Sequence, residues 1–291
     1  MEHEDDVRLE PPGPVAVLGA GTMGHGIAHV AALAGYETRL YDVEAGALET
    51  ARAQVEADLA KGVELGKVEA ADRDRALETL TTTTGLEEAL DGARVVVEAV
   101  PERLSLKQDV LTRAAEGAAP NALLASNTSS LSITALAEPV PGPERVVGLH
   151  FFNPVHIMAL VEVVRGDRSA PHAVERARDF AERLGKKPIV VQDSPGFASS
   201  RLGVALGLEA IRMLEEGVAG PEDIDRAMEL GYRHPMGPLR LTDLVGLDVR
   251  LEIARYLHSE LGERFRPPEL LERMVEEGKL GRKSGQGFYS W

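Results

Sequence analysis

Residues 15–18 are uniformly apolar, Val-Ala-Val-Leu, and the run breaks into Gly19-Ala20-Gly21-Thr22-Met23-Gly24 before a stretch of helical periodicity begins. A short apolar run bounded by glycine reads as a buried parallel strand, and 22–34 reads as a helix closed by Gly35. A second strand follows over 37–42. Helices are predicted over 45–61 and 68–80, with Gly62 and Gly66 breaking the connection, and the β-branched tract 81–84 suits a strand. Further strands are predicted over 94–100 and 122–126, and helices over 104–117 and 132–137. Two apolar runs, 145–152 and 159–164, are joined by Asn153-Pro154-Val155-His156-Ile157-Met158. That connection is too short for a crossover helix, so the two strands should pair antiparallel. A helix over 170–184 and a strand over 188–192 complete an alternation of strands and helices that predicts a mainly parallel sheet covered on both faces.

At Asp193-Ser194-Pro195-Gly196-Phe197 the pattern changes. Beyond this turn-rich joint no convincing strand is found, and helices are predicted over 201–216, 221–230, 242–261 and 268–278. Pro221 stands where a proline starts a helix well. The chain therefore divides into an α/β domain over 1–192 and a smaller all-α domain over 193–291. Residues 1–14, acidic and then Pro-Pro-Gly-Pro, read as a flexible leader. Apolar faces on several helices of the second domain, such as Leu202, Ala205, Leu206, Leu208, Ile211 and Leu214, exceed what one small bundle needs, which predicts a homodimer, with pure core packing as the alternative.

The glycine spacing adds chemistry to the first domain. G-x-G-x-x-G between a strand and a helix fits a dinucleotide: Gly19 for the tight turn, Gly21 for close approach of a pyrophosphate, Gly24 for helix against strand. The first helical turn, Thr22 and Met23 with it, offers free N–H groups to an anion. Asp42, at the end of the second strand, can accept hydrogen bonds from a ribose, and its charge would repel a 2′-phosphate. Val43 and Glu44 supply no cation, so NAD is favoured over NADP. The fold class is thus α/β, a Rossmann-type dinucleotide-binding domain followed by a smaller all-α C-terminal domain.

Composition narrows the remaining choices. With 291 residues, 44% hydrophobic and 27% charged, the chain has the balance of a soluble two-domain protein. It contains no cysteine, which removes disulfides, thiolate catalysis and cysteine-based zinc sites. A formal net charge of -15 disfavours nucleic acid as a partner. No apolar run is long enough to span a bilayer, and the acidic start does not resemble a secretory signal, so no membrane partner and a cytoplasmic location are expected.

A nicotinamide fold needs a group that moves a proton while hydride moves, and histidine titrates in the right range. Of the eight histidines, His150 stands at the end of a core strand, with Glu162 in the adjacent strand. If the strands pair about the short connection, the carboxylate reaches the imidazole and fixes its tautomer. Asn153 and Pro154 would shape the connection beside the nicotinamide. Asn127 and Ser129, in the polar cluster Asn127-Thr128-Ser129-Ser130, end another strand on the ligand side, while Ser130 or Ser132 can cap the next helix. Lys61 and Lys67 could meet phosphates of a bulky anionic substrate, or stand as solvated helix-end lysines. His25 and His29 have zinc-ligand spacing, but Gly26 occupies the place of a metalloprotease glutamate, so they read as a helix face and no metal is expected.

These motifs together, with Val97-Glu98-Ala99, Ser126-Asn127-Thr128-Ser129-Ser130, His150-Phe151-Phe152-Asn153-Pro154, Leu160-Val161-Glu162-Val163, Asp193-Ser194-Pro195-Gly196-Phe197, Pro235-Met236-Gly237-Pro238 and Gly281 to Tyr289, resemble the 3-hydroxyacyl-CoA dehydrogenase family. The resemblance covers nearly the whole chain and is nearest to the bacterial 3-hydroxybutyryl-CoA dehydrogenases. It implies NAD-dependent oxidation of an (S)-3-hydroxyacyl-CoA to the 3-ketoacyl-CoA, or the reverse, in fatty acid metabolism. His150 would take the hydroxyl proton, held by Glu162, and Ser129 would bond the reacting oxygen or the thioester. Glu102, Lys107, Ser129 and Asn153 would line the nicotinamide and its ribose; Lys107 otherwise reads as a routine helix-surface lysine. The helical domain would close over the acyl chain and carry the dimer contact.

One position departs from the family pattern Gly-Phe-x-x-Asn-Arg: Ser200 stands in the place of the active-site asparagine. Its hydroxyl can donate a hydrogen bond but is shorter than an amide. Two other readings remain open at this level: a hydroxyacid or sugar-acid dehydrogenase on the same scaffold, and a non-catalytic NAD-binding structural protein.

Overall fold

The computed structural model describes residues 13–291; the leader read over 1–14 falls, but for its last two residues, outside the described residues. The chain divides into two compact units, the first ending at Asp193 and the second spanning Ser194–Trp291.

The first unit is built on one eight-stranded sheet of order β3-β2-β1-β4-β5-β6-β7-β8. Its strands are β1 (Val15–Leu18), β2 (Thr38–Tyr41), β3 (Leu80–Thr83), β4 (Val95–Glu98), β5 (Leu123–Ser126), β6 (Val146–Phe151), β7 (Leu160–Arg165) and β8 (Lys187–Gln192). The strands from β3 to β6 run parallel; β7 turns back antiparallel to β6, as the short connection requires. Chain order reverses between β1 and β4, and the crevice at such a switch point, outside the strands' carboxyl ends, is where ligands bind in open α/β sheets.

Helices α1 (Thr22–Leu33), α2 (Ala45–Glu64), α3 (Ala70–Thr79), α4 (Leu86–Leu90), α5 (Leu104–Gly117), α6 (Ile133–Ala137) and α7 (Pro171–Arg183) connect the strands. The short α4 is not read from the sequence, because five residues carry too little periodicity. Alternate residues of the strands face opposite ways. Val15, Val17, Val95, Val97, Leu123, Ala125, Val147, Leu149, Phe151, Val161 and Val163 fill a core with α1, α2, α3 and α7. The intervening positions form the other face, and that face carries the polar residues of the site.

The second unit contains α8 (Ser199–Glu215), α9 (Pro221–Gly231), α10 (Pro238–Val245), α11 (Leu247–Leu261) and α12 (Glu269–Glu276). The single helix expected over 242–261 is two helices. Gly246, at φ 103°, turns the chain between α10 and α11, a conformation that costs glycine little. Apolar periodicity on both sides of Gly246 masks the break in the sequence. Val204, Leu208, Ile211, Ile224, Leu239, Leu251, Leu257, Phe265 and Leu271 form a separate core. Buried Asp225 accepts the N–H groups of Leu239 and Arg240 at the start of α10. Buried Asp243 accepts from the N–H groups of Phe288 and Tyr289 and from Trp291 Nε1, pinning the last segment. Among the described residues no helix is long and apolar enough to cross a membrane.

Candidate active site

The glycine loop has the shape its spacing predicts. Gly19 lies at φ +107°, and a Cβ there would come within 2.7 Å of the Ala99 carbonyl oxygen. A Cβ on Gly24 would meet the Gly19 carbonyl oxygen at 1.7 Å, so α1 packs onto the loop only with glycine there. A Cβ on Gly21 would have no protein atom within 4 Å, so that face of the loop is open to an approaching ligand. Gly21 also N-caps α1 without a side-chain hydrogen bond, which leaves the N–H groups of the first turn, at Thr22 and Met23, to an incoming anion. Asp42 Oδ2 accepts the Ala20 N–H at 2.8 Å and Oδ1 the Glu44 N–H at 3.0 Å, so the carboxylate is fixed beside the loop with lone pairs to spare. An uncapped helix start, an open loop face and a fixed carboxylate suit the pyrophosphate and ribose of a dinucleotide.

Beyond the switch point the sheet register sets the chemistry. Leu18 pairs with Glu98, Glu98 with Ser126 and Ser126 with Gly148, so β6 continues past the other strands through Leu149, His150 and Phe151. His150 stands opposite Glu162 on β7. Their side chains meet: His150 Nδ1 lies 2.7 Å from Glu162 Oε2, and both residues are buried. Where β5 has ended, Asn127 Oδ1 takes its place and accepts the Phe151 N–H at 2.9 Å. Asn127, expected on the ligand side, has its amide oxygen committed to the strand that carries His150.

A second polar group is centred on β4, two strands away from β6. Glu98, fully buried, accepts from Ser126 Oγ at 2.6 Å, Lys107 Nζ at 2.8 Å and the Val100 N–H at 2.7 Å. Burial pushes its carboxyl above the usual range, and Lys107, Ser126 and Val100 offset part of that rise. Lys107 is 1% exposed, which corrects its reading as a surface lysine. Its ammonium donates to Glu98 and to the Val100 carbonyl at 3.0 Å, and pairs with Glu102 Oε2 at 3.2 Å. Glu102 Oε1 in turn accepts from Thr128 Oγ1, the Ser129 N–H and Ser130 Oγ. Burial opposes ionisation of Glu102, but Lys107 and these hydroxyls outweigh it and hold the carboxyl below its ordinary value. Lys107 thus shapes the Val100 to Glu102 turn and ties it to the Thr128 to Ser130 loop.

Sequence reasoning missed Glu98, Ser126 and Thr128 as members of the site. The signal was available for Glu98: a carboxylate ending an apolar strand needs a cation, and Lys107 follows one turn into the next helix. The other expected residues are less gathered. Ser129 and Asn153 are exposed in loops at this edge of the sheet. Lys61, on α2, pairs with Glu64 at 2.9 Å, and Lys67 is exposed beyond that helix. Ser200 lies in the first turn of α8 in the second unit.

An open glycine loop at the switch point and a buried His–Glu pair on the same edge suit a nicotinamide-dependent alcohol dehydrogenase. The two units match, in order, the NAD-binding domain of 3-hydroxyacyl-CoA dehydrogenase over residues 14–194 and its C-terminal domain over residues 196–291. The chain belongs to the 3-hydroxyacyl-CoA dehydrogenase family and is an NAD-dependent oxidoreductase. It is 43% identical over 278 residues to a probable 3-hydroxybutyryl-CoA dehydrogenase of Bacillus subtilis, covering 95% of this chain and 96% of that one. A 3-hydroxybutyryl-CoA dehydrogenase of Mycobacterium tuberculosis is 45% identical over 280 residues, 95% of this chain and 98% of that one. The crystal structure of (S)-3-hydroxybutyryl-CoA dehydrogenase from Ralstonia eutropha superposes with a TM-score of 0.91 at 39% identity, covering 96% and 98% of the two chains.

Proposed function

We propose that this chain interconverts (S)-3-hydroxybutyryl-CoA and acetoacetyl-CoA, with His150 as the proton-transferring group. The observation that carries the reading is the 2.7 Å contact between His150 and Glu162 at the carboxyl edge of a dinucleotide-binding sheet. The short acyl chain is supported by the names of the Bacillus, Mycobacterium and Ralstonia relatives.

NAD, when bound, supplies the hydride acceptor. Gly19 to Gly24 and the first turn of α1 would hold its pyrophosphate, Asp42 its adenosine ribose, and Glu102, Ser129 and Asn153 the nicotinamide end. With Nδ1 committed to Glu162, His150 takes the substrate hydroxyl proton at Nε2 as the carbonyl forms. Glu162 stabilises the imidazolium and keeps the ring from rotating; Asn127 keeps the strand beneath it in place. Ser129 donates to the reacting oxygen or the thioester. Lys107 acts through Glu102 and the Val100 carbonyl, since its three donors are already taken. Lys61 and Lys67 are assigned to the CoA phosphates, and Ser200 to the place of the family asparagine.

A homodimer is part of the proposal. Leu202 on α8 is 71% exposed, and Leu241, Val245 and Val249 on α10 and α11 are also open, which supports a second copy covering that helical surface. Sedimentation showing only monomers would remove it. The reaction is tested by following acetoacetyl-CoA-dependent NADH oxidation in the wild type and His150→Ala. Turnover in the wild type, lost by roughly 10²–10⁴ in the variant with NADH binding retained, is the expected result. Equal turnover in both would refute the assignment of His150.

A further inference from the structure

We propose that the first unit carries a second site, for a divalent first-row transition ion such as zinc, formed by His29, Asp58 and His156. The three come from different parts of the chain: α1, α2 and the connection between β6 and β7. One ligand atom from each lies within 4.8 Å of the others. Two imidazoles and a carboxylate are a donor set suited to such ions.

The distances alone would not carry a site, and three further observations point the same way. His29 is buried, and its Nδ1 has no hydrogen-bond partner. A buried ring nitrogen left unpaired costs free energy, which a bound ion would recover. The His29 and His156 rings stack, with centroids 5.3 Å apart and planes inclined by 12°, and His156 Nδ1 stands 3.7 Å from Asp58 Oδ2. Asp58 is itself oriented by Gln54 Nε2, which donates to its other oxygen at 2.9 Å, the arrangement in which an outer partner steadies a metal-binding carboxylate.

Ligand bonds of about 2.1 Å place two tetrahedral ligand atoms roughly 3.4 Å apart, so the group must draw together by an ångström or so. His29 is fixed in the core, whereas His156 is exposed and Asp58 half-buried, so these two would swing inward. Three protein ligands leave a fourth position for water. Lys186 is a nearby cation that opposes the ion, but its ammonium is occupied by the carbonyls of Val155 and Met158. The connection lies close on α1, since a Cβ on Gly26 would come within 2.8 Å of Val155 Cγ2. An ion here would pin to α1 and α2 the connection that leaves β6 just after His150.

The test is zinc binding to the chelator-treated full chain, measured by competition with a chromophoric chelator. The wild type should hold one ion per chain. His156→Ala and Asp58→Asn, both at accessible positions, should each weaken binding on the order of tenfold or more, while His172→Ala on an exposed helix start should not. Visible spectra of the cobalt-loaded wild type should show d–d bands that His156→Ala abolishes. Absence of stoichiometric binding, or binding unchanged in both variants, overturns the site. So does binding lost in His25→Ala but kept in His156→Ala, which would put the ion on the His25–His29 helix face instead.

Discussion

Replacing Lys107 by methionine removes a buried ammonium while nearly keeping its volume. The loss falls on Glu98, which is fully buried and would retain only Ser126 Oγ and the Val100 N–H as partners. Breaking a buried pair by deleting one charge costs about 3–5 kcal/mol, because the remaining charge stays out of water. Glu98 can escape that cost by binding a proton, so the penalty depends on pH. Its folded carboxyl already titrates above the usual range. An acid whose folded pKa is raised lets the folded state bind more protons than the unfolded one, so stability falls as pH rises from the unfolded value through the folded one. Without Lys107 the folded pKa climbs further and that window extends upward. Glu102 adds to the same trend: its lowered pKa contributes stability above the unfolded value, and part of that contribution goes with the ammonium. Lys107→Met should therefore cost about 3–5 kcal/mol near pH 8 and clearly less near pH 5. Urea denaturation followed by circular dichroism at the two pH values measures both. Adding Glu98→Gln should restore most of the loss at the higher pH. A penalty below about 1 kcal/mol, or one equal at both pH values, would show that the Glu98–Lys107 pair is not the buried ion pair argued for.

Three other outcomes follow from the geometry. Glu162→Gln keeps the size of the side chain but removes the charge that steadies His150, so kcat should fall by roughly 10²–10⁴ with NADH affinity unchanged, as steady-state rates and a fluorescence titration would show. Asp243→Ala strips the acceptor from three donors, those of Phe288, Tyr289 and Trp291, and should destabilise the helical unit by about 2–4 kcal/mol, read from the quenching transition of the single tryptophan. Ser200→Asn restores the longer amide donor and should leave turnover at least as high as in the wild type; a clear loss in kcat would count against the role given to Ser200.

The parts of the fold that could be read in the sequence are those where one local rule suffices. The Gly19 to Gly24 turn, the strands flanking it and the antiparallel return at Asn153 to Met158 each follow from spacing within a few residues. The break at Gly246 was hidden because the apolar rhythm of α10 resumes in α11 with little change of phase. The site divides in the same way. His150 and Glu162 were legible because a short connection forces their strands together, whereas the burial of Lys107 was not. A lysine on an amphipathic helix normally faces water, and only the sheet register, which sets Glu98 beside Ser126 under that helix, makes a buried position tolerable. His29 is a further case: its sequence neighbour His25 suggested a helix face, while the residues that meet its ring come from distant parts of the chain.

The two faces of the sheet explain why the polar residues gather where they do. Val97, Ala125, Leu149, Phe151, Val161 and Val163 point into the core beneath α1 and α7. Their immediate neighbours Glu98, Ser126, His150 and Glu162 must then point to the other face, since strand side chains alternate. Pairing in register carries this along the edge: Glu98 beside Ser126, Ser126 beside Gly148, and His150 two residues further out on the same face. A slip of one residue in β6 would send His150 into the apolar core and Leu149 to the site. Asn127, which supplies the hydrogen bond that β5 no longer can, and Glu162, which fills the opposite position on β7, hold β6 against that slip from both sides. His150 is thus placed by the sheet's pairing, with α5 contributing Lys107 to hold the adjoining turn.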